Sequence, residues 1–292
     1  MKQGLLRYLS FKIINMKTAI TFLLVLSLSL TANAQEKTHQ LVKIWQTDSV
    51  VSVPESVLID AKKKTLFISE IGAGNASAFD KNGGIGKIGL NGKKLQTNWI
   101  SGLHSPKGLG RMGNELYVAD LNELVVVDIK NAKIIKKYPV EGAGMLNDVT
   151  VSDKGVVYFS DSRTKKIHQI VNGQLSTFME NITGVNGLKA IGNELFILGG
   201  KRFFKVDANK KETEIAQLPQ GGDGIEPIGN GDFLATSWGG YIFYVSKDGK
   251  VETLLDSHDP RVNTADIDYD QKKKILYVPS FYNKLITAYQ LK

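Results

Sequence analysis

Six short apolar runs recur along the chain, and their spacing constrains the fold more than any other feature. They read LFIS (66–69), LYVAD (116–120), VVYFSD (156–161), LFILG (195–199), FLATS (233–237) and ILYVPS (275–280). β-Branched and aromatic residues dominate them, each ends in a small or acidic residue, and each follows a turn signal rich in Gly, Asn, Asp or Lys. No part of the chain beyond residue 34 sustains a helical period. Nine or ten residues before each run lies a second strand start: PESVLID, PKGLGRM, LNDVTVS, VNGLKAI, GDGIEPI and TADIDYD. The second residue of each start forms one column, Glu55, Lys107, Asn147, Asn186, Asp223 and Ala265, with spacings of 52, 40, 39, 37 and 42. A period near 40 with four strands per unit is that of a propeller blade.

The expected fold is therefore all-β: a six-bladed β-propeller with four antiparallel strands per blade. The sixth repeat has room for three strands before Lys292, and HQLVKIWQ (39–46) is an unpaired strand near the other end. It is predicted to complete the last blade and so remove an exposed edge. The long first spacing comes from IGAGNASAFDKNGGIG (71–86), between the second and third strands of blade one. With little to bury, this segment reads as a surface loop, with a lid over a site as the alternative. Its glycines lack the strand–loop–helix context of a phosphate cradle.

Residues 1–34 read as a secretion signal. Lys2, Arg7, Lys12 and Lys17 precede a 12-residue apolar run, Ala19–Leu30, and Ala32-Asn33-Ala34 gives the small-x-small cleavage pattern before Gln35. The run is short for a bilayer span, so no membrane span is expected after signal removal. Met16 is a second candidate start. The expected product, residues 35–292, is one propeller domain, exported and periplasmic or secreted. Formal charge falls from +8 to +4 without the four basic residues of the leader. That is too mild for a nucleic-acid partner, and the lysines of AKKK, NGKK and QKKK read as solvated loop tips. The absence of cysteine excludes disulfides and thiolate chemistry.

The first strand of each blade lines a propeller's channel, so equivalent residues at the strand starts form a ring at one end of the axis. Here the ring holds two carboxylates (Glu55, Asp223), two amides (Asn147, Asn186), the Lys107 ammonium and Ala265. Taken singly, Asn186-Gly187 and Asp223-Gly224 read as turns. Taken together, four oxygen donors in one column fit a hard divalent cation: Ca²⁺ first, then Mg²⁺ or Mn²⁺, with Zn²⁺ last because His and Cys are missing from the set.

The stretches VPESVLID, MLNDVTVSDKGVVYFSD, GVNGLKAIGNELFIL and GGDGIEPIGNGDFLATSW resemble the regucalcin/gluconolactonase family of six-bladed propellers. The resemblance spans nearly all of residues 45–290. It implies one divalent cation held by Glu55, Asn186 and Asp223, with Asn147 contacting metal-bound water or substrate. It also implies hydrolysis of a sugar lactone or similar cyclic ester. Two positions depart from the family pattern: Met145 stands where lactone-cleaving members often carry Arg, and Lys107 is an unusual neighbour for a cation.

On this reading Asp223 orients or deprotonates the attacking water, and Asn147 holds water or substrate. His104 and His258 are rival bases. Lys107, His104, Trp238 and Tyr282 are candidate substrate contacts, while Trp238, Tyr241 and Tyr282 alternatively pack between blades. Glu70, Asp120 and Asp161 are expected to bond turn amides. The expected partner is a small molecule. A non-catalytic propeller that binds a ligand or protein is the main alternative, and a lyase on the same scaffold is a third.

Overall fold

In the computed structural model, which describes residues 38–72, 75–259 and 262–292, every regular element is a strand. The expected leader, 1–34, lies outside the described residues. Strand β1 is Leu41–Gln46. Blade one comprises β2 (Pro54–Asp60), β3 (Thr65–Glu70), β4 (Gly83–Gly89) and β5 (Gln96–Leu103). Blade two comprises β6 (Pro106–Met112), β7 (Glu115–Asp120), β8 (Glu123–Asp128) and β9 (Lys133–Pro139). Blade three follows with β10 (Leu146–Val151), β11 (Val157–Asp161), β12 (Lys166–Val171) and β13 (Gln174–Met179). Blade four has β14 (Val185–Ile191), β15 (Glu194–Gly199), β16 (Arg202–Val206) and β17 (Glu212–Gln217). Blade five has β18 (Ile225–Gly229), β19 (Asp232–Ser237), β20 (Tyr241–Val245) and β21 (Val251–Asp256). Blade six has β22 (Asp268–Asp270), β23 (Ile275–Ser280) and β24 (Leu285–Leu291).

The predicted closure is present. β1 pairs antiparallel with β24, Leu41 opposite Leu291, and becomes the fourth strand of blade six. Inner strands touch in sequence around the axis, and β22 meets β2 to complete the ring. Each blade interface has its own apolar core. Phe67 and Ile85 of blade one pack with Leu116 and Val125 of blade two, and Val57 and Ile68 pack with Tyr277 and Ile286 of blade six. Fully buried aromatics such as Phe159, Phe203 and Phe243 each stabilise the ring by about 1.5–3 kcal/mol.

A recurrent bulge shapes the channel end. In blade one Pro54 pairs with Glu70 and Val57 with Ile68, so Glu55 and Ser56 together oppose Ser69. The same irregularity recurs at 106/109, 146/149 and 185/188. Such a bulge re-aims side chains and leaves an amide without its ladder partner. The small residues near the run ends supply that partner. Ser69 Oγ accepts from Ser56 N (2.8 Å), Ser160 Oγ from Asp148 N (3.0 Å) and Thr236 Oγ1 from Gly224 N (2.9 Å).

Neighbouring inner strands approach closely at the position after the column. A Cβ on Gly187 would meet the Asp223 carbonyl oxygen at 2.2 Å, and one on Gly108 would meet Asp148 Cα at 2.5 Å. Gly187 therefore lies within β14, where the adjacent blade leaves no room for a side chain. The turn reading of Asn186-Gly187 does not hold. Asn172-Gly173, between β12 and β13, is a true turn of the same composition, with φ of 51° and 77°.

Candidate functional site

The channel end collects the column residues as buried polar groups: Glu55 is 5%, Lys107 4%, Asn147 8% and Asp223 4% exposed. Asn186 Nδ2 donates to Asp223 Oδ1 at 2.6 Å, joining blades four and five. Asn147 Nδ2 donates to Ser162 Oγ at 3.2 Å. Glu55 Oε2 and Asp223 Oδ2 are buried oxygens without a hydrogen-bond partner. An unpaired buried carboxylate oxygen is costly unless a proton or another partner satisfies it.

Electrostatics link these groups across blades. Burial pushes Glu55 well above the ordinary carboxylate range; the Lys107 ammonium opposes this, and Asp223 and Asp266 reinforce it. Burial likewise raises Asp223 to about 7, helped by Asp266 and opposed by the Asn186 bond and Lys107. Glu55, Lys107, Asp223 and Asp266 thus share one electrostatic environment, although they lie on blades one, two, five and six. The Lys107 ammonium forms no ion pair with another described residue, although it acts on Glu55 and Asp223 through its charge.

Two acids were missing from the sequence-derived set. Asp148 and Asp266 occupy the position after the column, which holds Ser56, Gly108, Gly187 and Gly224 in the other blades. Asp148 accepts from Val149 N at 2.6 Å and Leu188 N at 2.5 Å, fastening blade three to blade four. Asp266 accepts from Ser56 Oγ at 2.6 Å and Ile267 N at 2.9 Å, fastening blade six to blade one. Burial raises both, Asp266 to about 6. The readable signal was the confinement of this second column to Gly, Ser and Asp.

The remaining predicted residues surround the ring rather than joining it. His104 gives its backbone N–H to Asp120, its ring lies edge-on to Phe79 at 5.2 Å, and its Nδ1 is buried without a partner. His258 pairs with Asp256 and stacks on Tyr241 at 5.3 Å. Trp238 and Tyr282 are 43% and 65% exposed, 5.6 Å apart, and backed by Phe281. Asp120 and Asp161 hold loop amides, as does Glu70 through Asn98 N. The long blade-one loop crosses this end. Ser105 Oγ donates to the Asn75 and Ala78 carbonyls, and Arg163 Nη2 of blade three donates to Ser77 Oγ at 3.1 Å.

The donor chemistry fits a hard divalent cation. Two carboxylate oxygens without hydrogen-bond partners, Glu55 Oε2 and Asp223 Oδ2, share this buried end with Asn147 and Asn186, whose side-chain bonds to Ser162 and Asp223 use their Nδ2. Among the described residues no three His, Cys, Asp or Glu side chains group as a metal site, so the fit depends on the amides.

Comparison with solved structures places the fold among known ones. A gluconolactonase from Xanthomonas campestris aligns with a TM-score of 0.64 at 14% identity, over 89% of this chain and 92% of that one. A putative gluconolactonase aligns at 0.65 and 12% identity, over 88% and 93%. A catalytically inactive variant of virginiamycin B lyase from Staphylococcus aureus, solved with quinupristin, aligns at 0.59 and 16%, over 86% and 98%. No family model and no curated protein matches the sequence. The likeness to gluconolactonase structures, read first from blade motifs, is present in the fold. At these identities a hydrolase and a lyase share the architecture equally, and the chemistry rests on the site. The described residues contain no helix long and apolar enough to cross a membrane.

Proposed function

We propose that this chain is an exported hydrolase of a lactone or similar cyclic ester that works with one divalent cation, Ca²⁺ first. The observation that carries the reading is the pair of buried, unpartnered oxygens, Glu55 Oε2 and Asp223 Oδ2, in one electrostatic environment, with Asn186 bonded to Asp223. Glu55, Asn186 and Asp223 would hold the cation. When bound, the ion polarises the carbonyl and stabilises the negative charge that develops on its oxygen.

The chain's own groups account for the rest. Asp223, whose Oδ2 is buried without a hydrogen-bond partner, orients the attacking water or takes its proton. That water adds to the acyl carbon, the ring C–O bond breaks, and the departing oxygen takes up the proton. Asn147, fixed by Ser162, orients water or substrate. Lys107 supplies a positive charge to a substrate oxygen, in place of the Arg that Met145 replaces. His104 under Phe79, together with Trp238 and Tyr282, lines the approach.

The rival reading is a non-catalytic ligand-binding propeller. It is favoured by the Lys107 ammonium, which competes with a cation for the same two carboxylates. Calorimetry with Ca²⁺ and a lactone panel run with and without chelator separate the two. The hydrolase reading expects Ca²⁺ binding, turnover lost on chelation, and both losses in Asp223→Ala, with weakened metal binding in Glu55→Gln. Absence of divalent-ion binding by the mature protein leaves the ligand-binding reading. Undiminished turnover in Asp223→Ala removes that residue from the mechanism.

A further inference from the structure

The three lysine-rich turns do not point into open solvent independently. They meet around one cavity of about 580 Å³ between blades six and one. Lys63 and Lys64 come from the β2–β3 turn, Lys94 from the β4–β5 turn and Lys273 from the β22–β23 turn. All three turns lie at the end of the strands opposite the ring. No Asp or Glu lines the cavity, and its apolar floor includes Ile88, Ile275 and Tyr277.

We propose that this cavity binds a multivalent oxyanion, phosphate or sulfate esters carried on a compact carbon scaffold. Lysines from three turns gathered around one space repel one another, and a multiply charged anion relieves that repulsion. The acids nearby are already engaged: Asp60 with Arg111 at 3.1 Å and Asp270 with Lys273 at 3.3 Å. Lys63, Lys64 and Lys94 form no ion pair with another described residue. Lys87 takes no part in this: its Nζ lies over the Trp99 and Phe67 rings, 3.3 and 5.2 Å from their centroids, at the blade one–two interface. The volume suits a small molecule rather than a polymer, and the floor gives its carbon skeleton a surface to cover.

The test is calorimetry on the mature protein with inorganic tripolyphosphate and with inositol hexakisphosphate at low salt, alongside sedimentation with phosphatidylglycerol vesicles. The expected result is binding of the soluble probes that weakens as salt rises. Lys64→Gln/Lys94→Gln, which alters exposed turn residues and leaves the ring untouched, should weaken binding about tenfold or more. Lys130→Gln/Lys247→Gln removes the same charge elsewhere and should leave affinity nearly unchanged. The proposal is overturned if neither soluble probe binds, if the two double variants lose affinity equally, or if only vesicles are bound.

Discussion

Replacing Gly187 by Ala tests whether close approach of inner strands assembles the ring. The new Cβ would lie 2.2 Å from the Asp223 carbonyl oxygen, whereas an ordinary contact is about 3.3 Å. A methyl group cannot rotate away and the obstacle is backbone, so blades four and five must part by about 1 Å. Overpacking of this kind costs about 3 kcal/mol at the upper end of its usual range. The same movement stretches the 2.6 Å Asn186–Asp223 bond beyond useful length and leaves a buried carboxylate with less support, adding about 1 kcal/mol or more. The expected total is about 4 kcal/mol. Gly192→Ala is the control: Gly192 has φ +60° with nothing within 4 Å of a Cβ, so only the left-handed conformation is penalised, about 1 kcal/mol. Urea unfolding of both variants, followed by circular dichroism, reads the difference. If Gly187→Ala costs no more than Gly192→Ala, Asn186-Gly187 is a tolerant turn and the account of the ring fails.

Two further outcomes follow from the buried polar groups. Lys189 Nζ and Glu226 Oε1 are 2.5 Å apart across blades four and five. Burial opposes the Lys189 charge, but Glu226 holds the ammonium above its ordinary range. Burial pushes Glu226 up to about 8 against the pull of Lys189, and the short contact favours the charged pair. Lys189→Met should cost about 3–5 kcal/mol and Lys189→Met/Glu226→Leu much less, because only the single change strands a buried charge; additive costs in a double-mutant cycle would refute the coupling. His168 is buried against Phe159, and burial lowers its proton affinity below the ordinary value of 6.5. The unfolded chain then binds the extra proton first as pH falls below about 6.5, so stability is full above that value and declines through the folded-state value. His168→Leu should flatten this decline in melting temperatures measured between pH 7 and 5, and an unchanged slope would place the titrating group elsewhere.

Much of this architecture was legible in the chain. The period near 40 and the alternating strand pattern depend on local chemistry, and they determined six blades and the closure by residues 39–46. The column of Glu55, Lys107, Asn147, Asn186 and Asp223 was also legible, because equivalent positions in a cyclic repeat must face one axis. What Asn-Gly means was not: at 172–173 it is a turn and at 186–187 a strand interior, and only the adjacent blade distinguishes them. The acids Asp148 and Asp266 were likewise hidden, since each earns its position from a partner about 40 or 210 residues away. Lysines that look like separate solvated tips in three turns became the walls of one cavity for the same reason. Local sequence sets strand, turn and period through backbone propensity and short-range hydrogen bonding. Which side chains meet across blades depends on the closing of the ring, a long-range event that no single repeat encodes.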